Sequence, residues 1–125
     1  MASILRVDTL TDASSNNSTA MSTINQGTAK AWANLNGDSF GLRDDFNFSS
    51  ATDQGTGDYD FSFTNNMADA NYAVSALGNG DGYSNALPLL DGDLTSSTIL
   101  IRTVNSAFSR QDTNHVLLTV QGDLA

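Results

Sequence analysis

The sequence predicts an all-β fold, a small antiparallel β-sandwich or barrel-like domain with an extended N-terminal arm. In residues 55–64, aromatic side chains at Tyr59, Phe61 and Phe63 alternate with Asp, Ser and Thr after a glycine turn. Such two-residue alternation is typical of a strand with one buried and one solvated face. All fourteen acidic residues are Asp, and Ser, Thr, Asn and Gly are abundant, a composition that favours turns over long helices.

The chain of 125 residues is long enough for one domain, which buries roughly two-thirds of its unfolded surface. We divide it into an N-terminal arm or attachment segment, residues 1–27, and a β domain, residues 28–125. Residues 3–10 alternate as a strand would. Residues 11–23 are rich in Ser, Asn and Thr, which is typical of a linker or of a segment that orders only against a partner.

Seven short strands are predicted in the β domain, at a spacing typical of sandwiches and barrels. They cover residues 29–35, 40–43, 46–51, 59–64, 72–77, 98–104 and 116–121, with turns at 36–37, 53–57 and 79–82. The last two strands are partly apolar on both faces: Ile99 and Ile101 oppose Leu100 and Val104, and Leu117 lies between Val116 and Leu118. Because such strands are usually covered on both sides, a second subunit is one candidate for the additional cover.

Composition also limits the classes of partner. The net charge is −9 with only five Lys and Arg residues, whereas nucleic-acid binding needs clustered basic side chains. The chain has no cysteine, which excludes a disulfide framework and a thiolate metal site. Its first residues lack the apolar core of a signal peptide, and no apolar run approaches the roughly 20 residues of a membrane helix. We therefore expect no nucleic acid partner and no membrane insertion.

Catalytic patterns are weak. His115 is the only histidine, and Asp112 and Asn114 are placed to orient it, but no Gly-x-Ser-x-Gly elbow accompanies them. Asp58 with Asp60 is a candidate carboxylate pair for an inverting glycosidase, since residues two apart on a strand lie about 7 Å from each other. Any alternating strand produces that spacing, so a solvated polar face is the default interpretation.

Asp44 with Asp45 is a second such carboxylate pair. We predict that the chain is not an enzyme and needs no cofactor.

The loop of residues 78–85 carries the receptor-binding candidates Asn79, Asp81 and Tyr83. An aromatic ring with neighbouring Asp and Asn suits a sugar, although Tyr83 fits equally as a plug over one end of the domain. Oxygen ligands at 79–82, with Asp91 and Asp93, would suit calcium, yet turn chemistry explains the same residues, and no metal is predicted. Trp32 is interpreted as a core or subunit-interface residue rather than a ligand platform.

Three phrases carry a resemblance to a known family: Lys30-Ala-Trp-Ala-Asn-Leu-Asn-Gly37, Gly55-Thr-Gly-Asp-Tyr59 and Met67-Ala-Asp-Ala-Asn-Tyr72. Together with the opening Ser3-Ile-Leu-Arg-Val-Asp-Thr-Leu10 and the closing Val120-Gln-Gly-Asp-Leu-Ala125, they resemble tail-fibre-like virion structural proteins of marine and cyanobacterial tailed phages. The chain departs from long fibres in having no heptads, collagen-like triplets or extended repeat, and thus no shaft.

The resemblance implies a virion protein, a tail fibre or fibre-tip component in host-surface attachment, assembled as a homotrimer. Its partners would be other virion proteins of the tail or capsid, and a host surface polysaccharide. The opening phrase is virion-proximal in that family, which makes Ile4, Leu5, Val7 and Leu10 candidates for docking on the virion; a swapped edge strand is the alternative. The alternative function is a capsid decoration (cement) protein that stabilises the head, and a carbohydrate-active enzyme is a third class.

Overall fold

A computed structural model describes residues 3–79 and 87–125 of the chain. These residues form antiparallel sheets and one short helix, which confirms the predicted all-β class. The strands are β1 (Thr9–Thr11), β2 (Ser18–Ala20), β3 (Ala31–Asn36), β4 (Gly41–Phe46), β5 (Phe48–Gly55), β6 (Asp58–Phe63), β7 (Ala73–Asn79), β8 (Leu87–Leu90), β9 (Thr98–Val104) and β10 (His115–Gln121), and the helix is α1 (Met21–Gly27).

The N-terminal region contains a hairpin and a helix where the sequence predicted a linker or a segment that orders only against a partner. Strands β1 and β2 pair antiparallel, and the Asp12 carboxylate closes their turn by accepting hydrogen bonds from Asn16 N and Asn17 Nδ2. The linker interpretation is therefore wrong for this stretch, because Asp and Asn side chains supply local hydrogen bonds that composition alone does not register. Of the residues 3–10 that alternate, only the last two belong to a strand.

The body consists of two four-stranded sheets. The first sheet has the order β4-β3-β10-β7, and the second sheet has the order β5-β6-β9-β8. Alternation sets the facing of each strand: in β10, Val116, Leu118 and Val120 are buried, while Thr119 and Gln121 are exposed. The buried sides of both sheets contribute to one apolar core.

Aromatic side chains fill the core on the side of the second sheet. Phe61 is fully buried, and Phe48 packs against Phe61 and Phe63 with ring centroids 5.5 and 5.2 Å apart. Tyr72 meets Phe63 edge-on at 5.8 Å, a favoured geometry for aromatic pairs. The alternating aromatics of β6 thus face the core, as the sequence predicted.

All seven predicted strands are present, with ends that differ by up to four residues. Strand β8 was missed because it is short and contains Pro88, which weakens the strand signal. It lies at the edge of the second sheet, where a residue without a backbone N–H is tolerated.

The chain itself covers part of the outer side of β9. Val104 is 2% exposed, although it faces away from the core residues Ile99 and Ile101, and it forms a β-bridge with Arg110. Gly57 lies against the same segment, at φ +65°, with Thr103 donating its N–H to the Gly57 carbonyl at 2.8 Å. The chain itself therefore buries this end of β9, where the following segment turns back and pairs with it.

Candidate functional site

The four virion-docking candidates are solvent-exposed apolar side chains. Ile4 and Leu5 are 76% and 80% exposed, and Val7 and Leu10 are 37% and 45% exposed. Ile4 and Leu5 gain little from the described part of their own chain, and all four side chains leave apolar surface free to pack against another surface.

Of the receptor-binding candidates, only Asn79 lies within the described residues. Asp81 and Tyr83 lie outside them, as do the glycines of the candidate calcium loop. Asn79 is the exposed last residue of β7 and pairs with His115 of β10. Its side chain therefore belongs to the outer side of the first sheet.

That outer side holds an unexpected group of exposed apolar side chains. Trp32 is 38% exposed, and its cross-strand partner Phe46 is 51% exposed. Leu77 is 69% exposed, and its partner Leu117 is half-buried. Trp32 is thus not a core residue, which corrects one of the two interpretations made from the sequence.

We name this surface the Trp32 face and define it by the strand register. Its residues form three rows across the sheet, in which neighbours are cross-strand partners. The rows are Phe46, Trp32, Thr119 and Ser75; then Asp44, Asn34, Leu117 and Leu77; then His115 and Asn79.

Several polar side chains on the Trp32 face form no hydrogen bond with another described residue. No hydrogen bond joins the side chains of Ser75, Asn79 or Thr119 to another described residue, whereas Asn34 Oδ1 accepts one from Arg43 Nη1 at 3.3 Å. These hydroxyl and amide groups keep their donors and acceptors for solvent or a ligand.

A β-bulge in β4 lies next to the second row of the Trp32 face. Arg43 has no partner in β3, because the register moves from Asn34 with Asp44 to Leu35 with Leu42. Its guanidinium donates to the carbonyl oxygen and to Oδ1 of Asn114, at 2.5 and 2.6 Å. The bulge thus fixes the loop before β10 against β4.

A polar cleft adjoins the first row of the Trp32 face. Gln121 and Ala73 form the row beyond Thr119 and Ser75, and both residues line a cleft of about 360 Å³. Gln26 of α1 and Asn71 line it as well, and Gln121 Nε2 donates to the Gly27 carbonyl at 3.4 Å. The aromatic pair and the cleft therefore belong to one continuous surface.

Two carboxylates also line this cleft, Asp69 and Asp123. Asp69 accepts hydrogen bonds from the backbone N–H and the side-chain amide of Asn71, at 2.7 and 3.0 Å. These bonds, the backbone one first, lower the pKa of Asp69, so the carboxylate stays charged. The cleft presents negative charge and amides, and this composition repels anionic ligands.

The carboxylate pair Asp58 and Asp60 lies on the outer side of the second sheet, within an ion-pair network. Asp58 pairs with Arg110, and Arg102 pairs with Asp91 at 2.5 Å. Burial raises the pKa of Asp60, whose Oδ1 has no hydrogen-bond partner among the described residues. Asp58 is thus held by a structural ion pair, and the interpretation as a solvated polar face is wrong for this strand.

Asp112 and Asn114, the residues predicted to orient His115, form hydrogen bonds with other residues instead. Asp112 Oδ1 accepts hydrogen bonds from Gly57 N at 2.7 Å and from the Tyr59 hydroxyl at 3.1 Å. Asn114 is engaged by Arg43, and His115 Nδ1 is buried without a partner among the described residues. No base oriented by a carboxylate is formed here.

Tyr59 is held by the same carboxylate. Burial, and then the charge of Asp112, raise the pKa of the Tyr59 hydroxyl.

Asp44 and Asp45, the other carboxylate pair, are adjacent in β4 and lie on opposite sides of the sheet. They therefore do not face one substrate together.

Across residues 3–79 and 87–125, no three His, Asp or Glu side chains come together in a metal-binding arrangement. No helix in this part of the chain has the length and apolar character needed to cross a membrane. No protein-family model, curated protein or solved structure matches the chain.

Sequence reasoning missed Phe46 and Leu77 as parts of a surface. The outward position of Trp32 could have been predicted from the sequence. Ala31, Ala33 and Leu35 alternate as the buried apolar side of β3, which places Trp32 on the opposite side. The position of Phe46 could not be predicted in this way, because its place beside Trp32 depends on the register across the bulge.

Proposed function

We propose that this chain is a structural component of a phage virion, a tail fibre or fibre-tip protein that contributes to attachment to the host surface. The observation that carries the proposal is the resemblance of its phrases to tail-fibre-like proteins. These phrases coincide with the parts that build the body: β3, the turn into β6, and the segment that leads into β7. The resemblance therefore concerns the folded domain as well as the N-terminal arm, although it does not extend to β8, β9 or most of β10.

The geometry supports a binding and structural role over catalysis. The Trp32 face is broad, exposed and partly apolar, whereas His115 and the carboxylate pairs have no catalytic partners in the described residues. An exposed apolar patch with a polar surround is a common sign of an interaction surface. We accordingly treat the chain as a non-enzymatic attachment module.

The proposal includes a homotrimer built from small sandwich-like bodies. Strands β4, β7, β5 and β8 are sheet edges, and closed symmetric assembly is one way to cover edges that otherwise invite aggregation. Light scattering of the purified chain at micromolar concentration tests this part. A trimer mass is expected, and a monomer mass would remove the trimer from the proposal.

The N-terminal arm supplies the proposed attachment to the particle through Ile4, Leu5, Val7 and Leu10. Deleting residues 1–20 should leave the circular dichroism spectrum and melting of the body intact and should prevent incorporation into particles. Loss of the folded body would instead favour the alternative that the arm is a swapped edge strand.

The same exposed arm also fits a capsid decoration protein, in which it would clamp a small β body onto the shell. Labelled antibody or cryo-electron microscopy of intact particles separates the two. Density on the tail is the expected result. A regular lattice over the head would replace the fibre proposal with the decoration alternative, and absence from the particle would refute both.

A further inference from the structure

We propose that the Trp32 face binds an uncharged polysaccharide, with sugar rings stacked on Trp32 and Phe46 and with hydroxyls bonded by the polar groups beside them. This inference rests on the proposed function, since it names the ligand of an attachment module. It moves the binding site from the loop at 78–85 to the sheet surface on which Asn79 lies.

The aromatic pair is the first argument. Trp32 and Phe46 are direct cross-strand neighbours, and both keep more than a third of their surface exposed. An aromatic ring has an apolar body that packs well against the C–H groups of a sugar ring. Two adjacent rings on a rigid sheet provide such a platform with little loss of conformational entropy on binding.

The second argument is the free hydrogen-bonding capacity beside the rings. Thr119 and Ser75 continue the row of Trp32, and strands about 4.8 Å apart place its four residues over about 14 Å. Their hydroxyls have no partner among the described residues. Matched apolar surface of a second copy would bury these groups unpaired at a cost, whereas a polyol satisfies them.

The cleft next to this row is the third argument. Gln121, in the next row after Thr119, lines it, and Gln26 and Asn71 add further amides. Its volume of about 360 Å³ falls within the usual range of small-ligand pockets. A chain of sugars bound along the row would therefore lie beside a concave, amide-lined cleft.

Charge decides the class of polysaccharide. The chain has a net charge of −9, the cleft contains Asp69 and Asp123, and Asp44 lies in the second row of the face. The guanidinium of Arg43 is engaged by Asn114 and Asn34. Lys30, two residues before Trp32, lines a cleft together with Asp123, and its ammonium donates to the carbonyl oxygens of Asn25 and Thr28. One cation that is already hydrogen-bonded does not offset the carboxylates and the net charge, so an anionic polymer would meet repulsion and the complementary ligand is a neutral one.

The test uses the full chain and four immobilised neutral polysaccharides: dextran, mannan, galactan and laminarin. Alginate serves as the anionic comparison. Retention is measured by affinity electrophoresis for the wild type, Trp32→Ala, Phe46→Ala and Phe108→Ala. Phe108 is the matched control, because it is an aromatic residue 74% exposed in the turn between β9 and β10, away from the Trp32 face.

We expect the wild type to be retained by at least one neutral polymer and not by alginate. Trp32→Ala and Phe46→Ala should each weaken retention by about tenfold, and Phe108→Ala should leave it unchanged. The melting temperature of each variant is measured to confirm that it folds. If Trp32→Ala does not fold, the test relies on Phe46→Ala, because Phe46 is the more exposed of the two residues.

Three outcomes would overturn the inference: no retention on any of the four neutral polymers, stronger retention on alginate, or a fall in molecular mass in Trp32→Ala or Phe46→Ala. The last would assign the face to contact between copies of the chain. Localisation on particles is scored separately, so a tail protein without glycan retention would refute this inference alone. A glycan-binding chain absent from particles would refute the proposed function alone.

Discussion

The outer sides of the two sheets differ in how their side chains are satisfied. On the second sheet, Asp58, Asp91, Arg102 and Arg110 form ion pairs, and Val104 is buried by the chain itself. On the first sheet, Trp32 and its neighbours are exposed, and several hydroxyl and amide groups have no partner in the described chain. Most charged groups on the outer side of the second sheet are paired within the chain, apart from Asp60 Oδ1 and Arg102 Nε, whereas the first sheet leaves aromatic, hydroxyl and amide groups exposed.

A large loss of stability is predicted at Gly57, which lies against the segment that follows β9. A Cβ on residue 57 would lie 2.5 Å from Thr103 O and 2.7 Å from Gln111 N, at a φ of +65° that side chains rarely adopt. Gly57→Ala should therefore lower the free energy of unfolding by on the order of 3 kcal/mol, measured by urea denaturation.

Gly27→Ala is the matched control for this substitution. A Cβ there meets nothing within 4 Å, and residue 27 ends α1, so the variant should be as stable as the wild type. A Gly57→Ala protein as stable as the Gly27→Ala protein would show that Thr103 and Gln111 do not pack closely against residue 57.

A medium effect is predicted for Asp60, which faces outward beside the ion pairs of the second sheet. Burial raises its pKa above the ordinary value of 3.8, so the folded state holds its proton more tightly than the unfolded state. Stability from this group is present at low pH and is lost as pH rises through the raised pKa.

Asp60→Asn should therefore raise the melting temperature at pH 7, and the gain over the wild type should shrink as pH falls toward 3.8. Thermal melts between these pH values measure it. The pKa of the exposed Asp69 is lowered, so the charged form of Asp69 favours the folded state at pH 7. Asp69→Asn is therefore the control and should not raise the melting temperature at pH 7. An Asp60→Asn gain that is constant with pH would contradict the assignment.

The smallest effect on stability is predicted on the Trp32 face. Leu77 is 69% exposed, so Leu77→Ala should change the free energy of unfolding by less than about 0.5 kcal/mol. Leu118, on the buried side of the same sheet at 3% exposure, is the comparison, and Leu118→Ala should cost about 2–5 kcal/mol. Equal losses in urea denaturation would mean that the Trp32 face is covered in solution.

The fold was largely predictable from the sequence because strand alternation is a local signal. Tyr59, Phe61 and Phe63 identified the core side of β6 before any pairing was known. The hairpin of β1 and β2 was missed because it depends on the hydrogen bonds of Asp12, and β8 because Pro88 weakens its pattern.

The candidate site was predictable only in part. Trp32 was noticed, yet its partner Phe46 comes from a strand whose register includes an unpaired Arg43. The polar cleft beyond Gln121 joins residues from α1, the segment before β7 and the end of β10. Such a surface depends on which strands become neighbours, and a pattern of two-residue alternation contains no information about neighbours.

The central claim is that the Trp32 face is the attachment surface of a virion protein. The most direct measurement is the adsorption rate to host cells of phage particles whose copies of this chain carry Trp32→Ala and Phe46→Ala. Particles carrying Phe108→Ala are the control, and the amount of the chain in each particle is checked by immunoblot. We predict slower adsorption for the double variant with normal incorporation, and adsorption at the control rate with normal incorporation would contradict the claim.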